Sequence, residues 1–441
     1  MKKILILALI FNFLFSILNL SFAQSSGSNS PYSRYGWGLL ADEAMGFNKG
    51  MGGVALGMRD INIINPQNPA AYSEMDSLTF LFDAGISLQN CRMQAGSTKK
   101  NVQNSTLDYI AAAFRLRKGL GFSLGLRPFS TIGYSFSATS DMDDIDGYGT
   151  KVASSSYVGS GGLHELYGGV GWRVFKPLSV GMNMKYVWGD YSHSSSVSYS
   201  ESSIRSLNRN YKANLNALCF DFGLQYSQRL SKKDRVTLGL SYGLGNKIDQ
   251  RATLINTQSS STGSAADTVR VGNAFELPRT MGVGLSWNHD LRWTVAADYT
   301  LQQWKDCRFP ELQSGNGGNY TVTRNSFLNR QRIAAGVEFI PNPRGLKIRD
   351  HIAYRAGVAY TTPYIKVNGA DGPKSYLVSL GASLPIANKY ADKTSAPTVI
   401  NVSAQWEHCK PSMGGAIKED YLRLCVGITF NARWFEQWKV R

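Results

Sequence analysis

Met281-Gly282-Val283-Gly284-Leu285-Ser286-Trp287 alternates a large apolar side chain with a glycine or serine at every step. Leu120, Phe122, Leu124 and Leu126 keep the same beat around Gly121, Ser123 and Gly125, as do Val236, Leu238, Leu240, Tyr242 and Leu244 around Thr237, Gly239, Ser241 and Gly243. A period of two places all the apolar side chains on one face of a strand. The pattern recurs about fourteen times from residue 77 almost to the C-terminus, too often for one sandwich, and its other face carries Gly, Ser and charge. A closed antiparallel barrel with lipid outside and a polar lumen accounts for both facts. The expected fold class is therefore all-β: a transmembrane barrel of about 14 strands with an N-terminal plug in its lumen.

The N-terminus agrees. Lys2 and Lys3 precede the apolar run Ile4 to Leu20, followed by Ser21-Phe22-Ala23, which reads as a secretory signal over residues 1–23. No later apolar run approaches the ~20 residues of a spanning helix, and a barrel is the other structure that pairs every backbone group in lipid. The composition is 44 Gly with 20 Phe, 22 Tyr and 9 Trp, at a formal net charge of +16. The basic residues are dispersed along an exported chain, which argues against nucleic acid as a partner and for a basic lumen or contact with anionic lipid headgroups.

Residues 24–76 lack the beat and are rich in Gly, Asn, Pro and Ser; they read as a hatch, with a short helix within 46–58 and turns over 62–72. Residues 77–435 read as the barrel and 436–441 as a tail. The third to sixth strands are expected at 119–137, 162–175, 177–192 and 210–230. Short connections alternate with long Ser- and Asn-rich ones such as 138–161, 193–209 and 251–274, the pattern of periplasmic turns and external loops. An even count places both termini on the periplasmic side of a Gram-negative outer membrane.

The beat assigns Asp83, Arg115, Arg127, Arg173, Lys185, Asp221, Asp298, Arg332, Glu338, Arg355, Glu407 and Arg423 to the inner face, where charge is cheapest. They are expected to pair with one another and with the hatch; Lys185, Arg355 and Arg423 are the lumen cations proposed to favour an anionic amphiphile. In the third strand, Arg127-Pro128-Phe129 leads to Gly133. Pro128 cannot donate to a ladder, which predicts a bulge or gap there, or else a strand that ends early.

Asn68-Pro69-Ala70 and the preceding Gly50-Met51-Gly52-Gly53 resemble the hatch of FadL-type outer-membrane transporters, and Leu277-Pro278-Arg279-Thr280 with Ala297-Asp298-Tyr299 and Trp304 is similar to the same family. Ser30-Pro31-Tyr32-Ser33-Arg34-Tyr35-Gly36 resembles the Bacteroidetes branch. The resemblance implies passive uptake of long-chain fatty acids or other hydrophobic compounds. It also implies a gate at Asn68, Pro69 and Ala70 and a lateral opening at Arg127, Pro128 and Gly133. A second function stands beside it: a structural partner barrel docked in a larger outer-membrane machine for secretion or assembly, with protein partners in the membrane.

Other motifs carry less. Gly239-Leu240-Ser241-Tyr242-Gly243 spells a nucleophile elbow, but it lies inside an alternating strand instead of a strand-to-helix turn, so no catalytic residue is assigned. Gly50-x-Gly52-x-x-Ala55 has no strand before it, and no cofactor is implied. His164, His193, His289, His351 and His408 lack ligand spacing, so no metal site is assigned. Cys91, Cys219, Cys307, Cys409 and Cys425 read as isolated thiols, with a Cys91–Cys409 bridge as the alternative.

Overall fold

The computed structural model describes residues 29–76, 79–142, 151–200, 204–313, 319–345, 347–386 and 398–433. The expected signal segment and the C-terminal tail lie outside them. Fourteen long strands form the wall: β1 (Thr79–Ala95), β2 (Thr98–Arg117), β3 (Leu120–Met142), β4 (Lys151–Arg173), β5 (Leu178–Tyr199), β6 (Ser206–Arg229), β7 (Asp234–Gly243), β8 (Arg279–His289), β9 (Trp293–Gln303), β10 (Arg330–Phe339), β11 (Ala353–Thr361), β12 (Lys374–Ile386), β13 (Thr398–Lys410) and β14 (Lys418–Arg433). Each pairs antiparallel with its neighbour, and β1 pairs β14 from Thr79↔Arg433 to Gln94↔Lys418, which closes the barrel.

The register follows the beat. Met281, Val283, Leu285 and Trp287 point outward and are 41–50% exposed, while Ser286 between them is 8% exposed. Tyr186, Tyr354 and Leu424 likewise face outward, with the neighbouring Lys185, Arg355 and Arg423 inward. A slip of one residue would exchange the faces and set these cations in lipid at a cost of about 2–4 kcal/mol each near the midplane.

Several boundaries differ from the sequence reading. β3 to β6 run to 20 residues or more, so much of 138–161 and 193–209 is strand. The stretch 251–274 is a hairpin, Ala252–Ser260 against Gly263–Val271, whose first strand pairs β6. Beyond the lipid the outer face of a sheet meets water, so Ser- and Asn-rich strands there lose the contrast on which the two-residue beat depends. β1 and β2 meet in a tight turn at Gly96 (φ +58°). All five cysteines are free thiols. Among the described residues no helix is long and apolar enough to cross a membrane.

The N-terminal segment packs against the inward faces of strands around the whole ring. A single helical turn, Gly46–Lys49, touches β1, β12, β13 and β14; a 3-10 turn, Pro69–Glu74, touches β2 to β6. Asn68 caps the second turn by accepting from Ala70 N–H at 3.2 Å, with Pro69 at its first position, a standard helix start.

Candidate functional site at the third strand

β2 and β3 are paired only in their lower part. Their ladder runs from Arg117↔Leu120 to Ile110↔Leu126 and then stops. On its other side β3 stays paired to β4 through Met142, with one extra residue, Phe129, between Pro128↔His164 and Ser130↔Leu163. β3 therefore does not end at Pro128. It bulges there and parts from β2 above Leu126. The proline supplies no donor at the point of departure, and the inserted Phe129 re-aims the strand.

The exposed edge of β3 is covered from inside by the chain's own N-terminal segment. Leu39 and Leu40 form a two-residue strand opposite Thr131 and Ser130. Ala41 N–H donates to Phe129 O at 3.0 Å. Gly133 N–H donates to Ser33 Oγ at 3.2 Å. Gly38 makes the approach possible: its φ is +84°, and a Cβ there would stand 2.4 Å from Thr131 O. Asn29 reaches β2 at Asn104 (3.0 Å), and Ser30 Oγ donates to Glu419 on β14 (2.6 Å). Trp37, 1% exposed, anchors this strap among Phe275 (5.4 Å between ring centres) and Phe309 (5.9 Å), beside Tyr191 and Phe327.

Beside the bulge lies a small cavity of about 50 Å³. Its apolar lining comes from Leu40, Pro128, Phe129, Leu277 and Trp304, and its charge from Glu43, Arg127, Glu165, Lys185, Asp221 and Arg330. Arg127 binds Glu165 through Nε (2.9 Å) and Nη2 (2.8 Å); Glu165 also sits 3.7 Å from Lys185, which pairs Asp221 at 2.7 Å. Arg330 has the Gln302 amide oxygen at 3.3 Å. The site thus sets a chain of alternating charges against an apolar wall, which suits a molecule with one polar end.

The other inward charges are also partnered. Arg355 binds Glu338 (2.7 Å) and Arg423 binds Glu407 (2.5 Å). Asp298 accepts from the N–H groups of Ala55 (2.5 Å) and Leu56 (2.9 Å), Arg332 donates to Gly52 O (2.5 Å), and Arg173 meets Glu74 (2.6 Å). Asp83 accepts from Tyr109, and Arg115 lies 4.0 Å from Asp76. In the N-terminal segment, burial alone would raise Asp42, but Lys49 and Arg332 hold it below the usual carboxylate range. Burial would lower Lys49, but Asp108, at 2.8 Å, and Asp42 hold it above the usual lysine range.

Asn68 and Pro69 rest in a groove floored by glycine. Gly121, Gly171, Gly181 and Gly223 are register partners on β3, β4, β5 and β6. A Cβ on any of them would stand 2.0–2.4 Å from an atom of Asn68, Pro69 or Tyr72. The Asn68 amide donates to Leu56 O (2.9 Å) and Leu224 O (3.2 Å), joining turn and wall. Asn68-Pro69-Ala70 and the bulge at Pro128 are thus both on the inner side of β3 to β6, the turn at the height of Gly121 and the bulge above it, between Arg127 and Gly133.

The sequence reading missed Glu165, Lys49–Asp108 and Arg330. Glu165 was readable, since outward Leu166 fixes it inward, opposite Arg127. Asp108 was not: it is the extra residue of a bulge between Gly85↔Tyr109 and Ile86↔Leu107, which turns it inward next to Tyr109 and breaks the beat.

The geometry has counterparts among solved structures. The toluene transporter TbuX of Ralstonia pickettii superposes with a TM-score of 0.56 at 14% identity, over 88% of this chain and 98% of that one. A FadL homologue of Pseudomonas aeruginosa gives 0.57 at 13%, over 89% and 98%. The Pseudomonas putida toluene transporter TodX gives 0.56 at 14%, over 90% and 100%. At such identities the likeness establishes a shared fold, a FadL-like outer-membrane barrel. No curated protein matches the sequence. The BamG family model matches residues 1–441, the whole chain. The chain therefore belongs to the BamG family and carries it on a FadL-like 14-stranded barrel.

Proposed function

We propose that the barrel passively admits hydrophobic compounds, long-chain fatty acids among them, and releases them sideways between β2 and β3. The observation that carries this reading is the end of the β2–β3 ladder at Ile110↔Leu126, beside the amphipathic cavity. A molecule held against Leu40, Phe129 and Trp304, with an anionic end near Arg127, Lys185 or Arg330, has only the strap between itself and the gap. Asn68, Pro69 and Ala70 act as a fixed sill and Ser30–Ala41 as the gate. The hydrocarbon and toluene transporters of the same fold support the choice of ligand class. No covalent step or energy source is involved.

A locked strap tests it. Leu39→Cys with Thr131→Cys joins residues that face each other across the two-residue pairing. Uptake of a radiolabelled fatty acid into vesicles carrying the barrel should proceed with the variant reduced and stop with it oxidised. Equal uptake in both states overturns the lateral route.

A second reading, a partner barrel of a larger outer-membrane machine, is favoured by the same strap, because the gap is filled and Trp37 is packed into an aromatic cluster over the lumen. It predicts no uptake in either state and a salt-stable complex with other outer-membrane proteins on gentle extraction.

A further inference from the structure

The end of the barrel that carries the short turns is strongly basic, and its basic residues sit next to exposed apolar ones. At the β6–β7 turn Leu230, 68% exposed, is flanked by Arg229, Lys232 and Lys233. At β8–β9 Leu291, 55% exposed, precedes Arg292. At β10–β11 Ile348, 56% exposed, stands between Lys347 and Arg349, with Arg344 close by.

These three turns are contiguous. Asp290 N–H donates to Lys233 O (2.7 Å), Ile340 N–H donates to Arg292 O (2.8 Å), and Arg344 reaches Asp290 (2.9 Å). The carboxylates among them are engaged locally. Asp234 accepts from Ser231 (2.6 Å) and the Trp287 indole (3.1 Å) and meets His289 (2.8 Å). Asp290 holds one guanidinium nitrogen of Arg344, whose side chain remains 71% exposed. Positive charge therefore dominates the surface of the patch. One strand step toward the midplane, Trp287 and Trp293 face outward, 41% and 43% exposed. The order along the wall is indole, then aliphatic tip, then cation.

We propose that this patch binds the phosphate headgroups of anionic phospholipid in the leaflet facing the short turns. Indole rings settle at the boundary between acyl chains and headgroups, the aliphatic tips just beyond them pack within the same interfacial zone, and Lys and Arg extend to the phosphates. A lipid leaflet satisfies all three layers at once. A protein surface would need its own apolar pockets for Leu230, Leu291 and Ile348, set around a convex wall.

The test uses the folded barrel purified in neutral detergent. Wild type and a variant carrying Lys232→Gln, Lys233→Gln, Arg344→Gln, Lys347→Gln and Arg349→Gln are titrated with phosphatidylglycerol or phosphatidylcholine, and retained lipid is counted by native mass spectrometry. All five positions are exposed turn residues, and heat-modified gel migration checks folding. Wild type should retain phosphatidylglycerol at least ~10-fold better than phosphatidylcholine, the variant should lose the preference, and 0.5 M salt should weaken it. A second variant at the opposite rim, Lys99→Gln with Lys100→Gln and Lys410→Gln, should keep it. Equal retention of both lipids by wild type, or an unchanged preference in the five-site variant, overturns the proposal. So does displacement of the lipid by millimolar inorganic phosphate, which would mark a site for free anions, or recovery of a bound acidic protein in place of the lipid.

Discussion

Ser33 is bonded to Gly133 across a gap in the wall: its hydroxyl oxygen accepts from the Gly133 N–H at 3.2 Å and shares its own proton between the carbonyls of Ser30 (2.7 Å) and Gly133 (3.2 Å). A serine side chain thus does for β3 what the backbone of β2 does lower down. Ser33→Ala removes those bonds at a net cost of about 1 kcal/mol and leaves the Gly133 amide unprotected. Hydrogen exchange at Gly133 should speed up by roughly fivefold while amides near Phe122, where β2 still pairs, stay unchanged. Unaltered exchange at Gly133 would mean that the strap contributes nothing to closing the edge.

Glu165 is the centre of the charge chain, 2% exposed between Arg127 and Lys185. Glu165→Gln leaves Arg127 without its main partner and should cost about 3–5 kcal/mol in unfolding free energy. Arg127→Met with Glu165→Met removes both charges and should recover a large share of that loss. Urea unfolding in lipid vesicles compares the three proteins. A double variant no better than the single one would contradict the assignment of the cost to a stranded buried charge.

Gly181 has the Pro69–Glu74 turn against it: a Cβ there falls 2.4 Å from the Pro69 carbonyl carbon. Gly181→Val should push the turn off the wall and destabilise the barrel by about 1–3 kcal/mol. Gly168, on the same sheet but with nothing within 4 Å of its Cβ position, should accept alanine with little change. The denaturation midpoints of the two variants, measured side by side, decide whether the glycine row is a seat or an accident of composition.

Lys49 is held at 2.8 Å by Asp108 and lies near Ser87 and Cys425, all under the Gly46–Lys49 turn. Lys49→Met should loosen that turn at about 1–3 kcal/mol, because Asp108, only partly exposed, loses its one cation and keeps just the hydroxyls of Ser87 and Thr106. Limited proteolysis reads the effect: cleavage within 46–60 should appear in the variant and be absent from the wild type. Resistance in both would place the turn's stability in its apolar contacts instead.

These residues also mark how far the sequence could be read. Met281 to Trp287 sufficed for strand, face and barrel, because lipid imposes a strict contrast between the two sides. The same logic put Arg127, Lys185, Arg355 and Arg423 inward, where the structure has them. The hairpin 252–271 was unreadable because only Ala252 and Leu254 of it are buried, too few to set up a two-residue beat, and Asp108 because a bulge adds one residue and reverses the beat. Pro128 announced a departure from regular pairing. That Ser33, Leu39 and Leu40 would fill the opening depends on contacts 90 to 100 residues apart in sequence, which no local pattern encodes. The glycine row was visible as four small residues on four strands, and only the register shows that they are side by side.

The strap has a consequence for biogenesis. Asn29 and Ser30 touch Asn104 on β2 and Glu419 on β14, so its complete set of bonds exists only after the final strand has been added. An unfinished barrel has the strap loose; a finished one has it clasped. Completion of the last strand is thereby registered at Ser30, some 390 positions away in sequence, and a protease or chaperone that senses only the strap can tell a completed barrel from a stalled one.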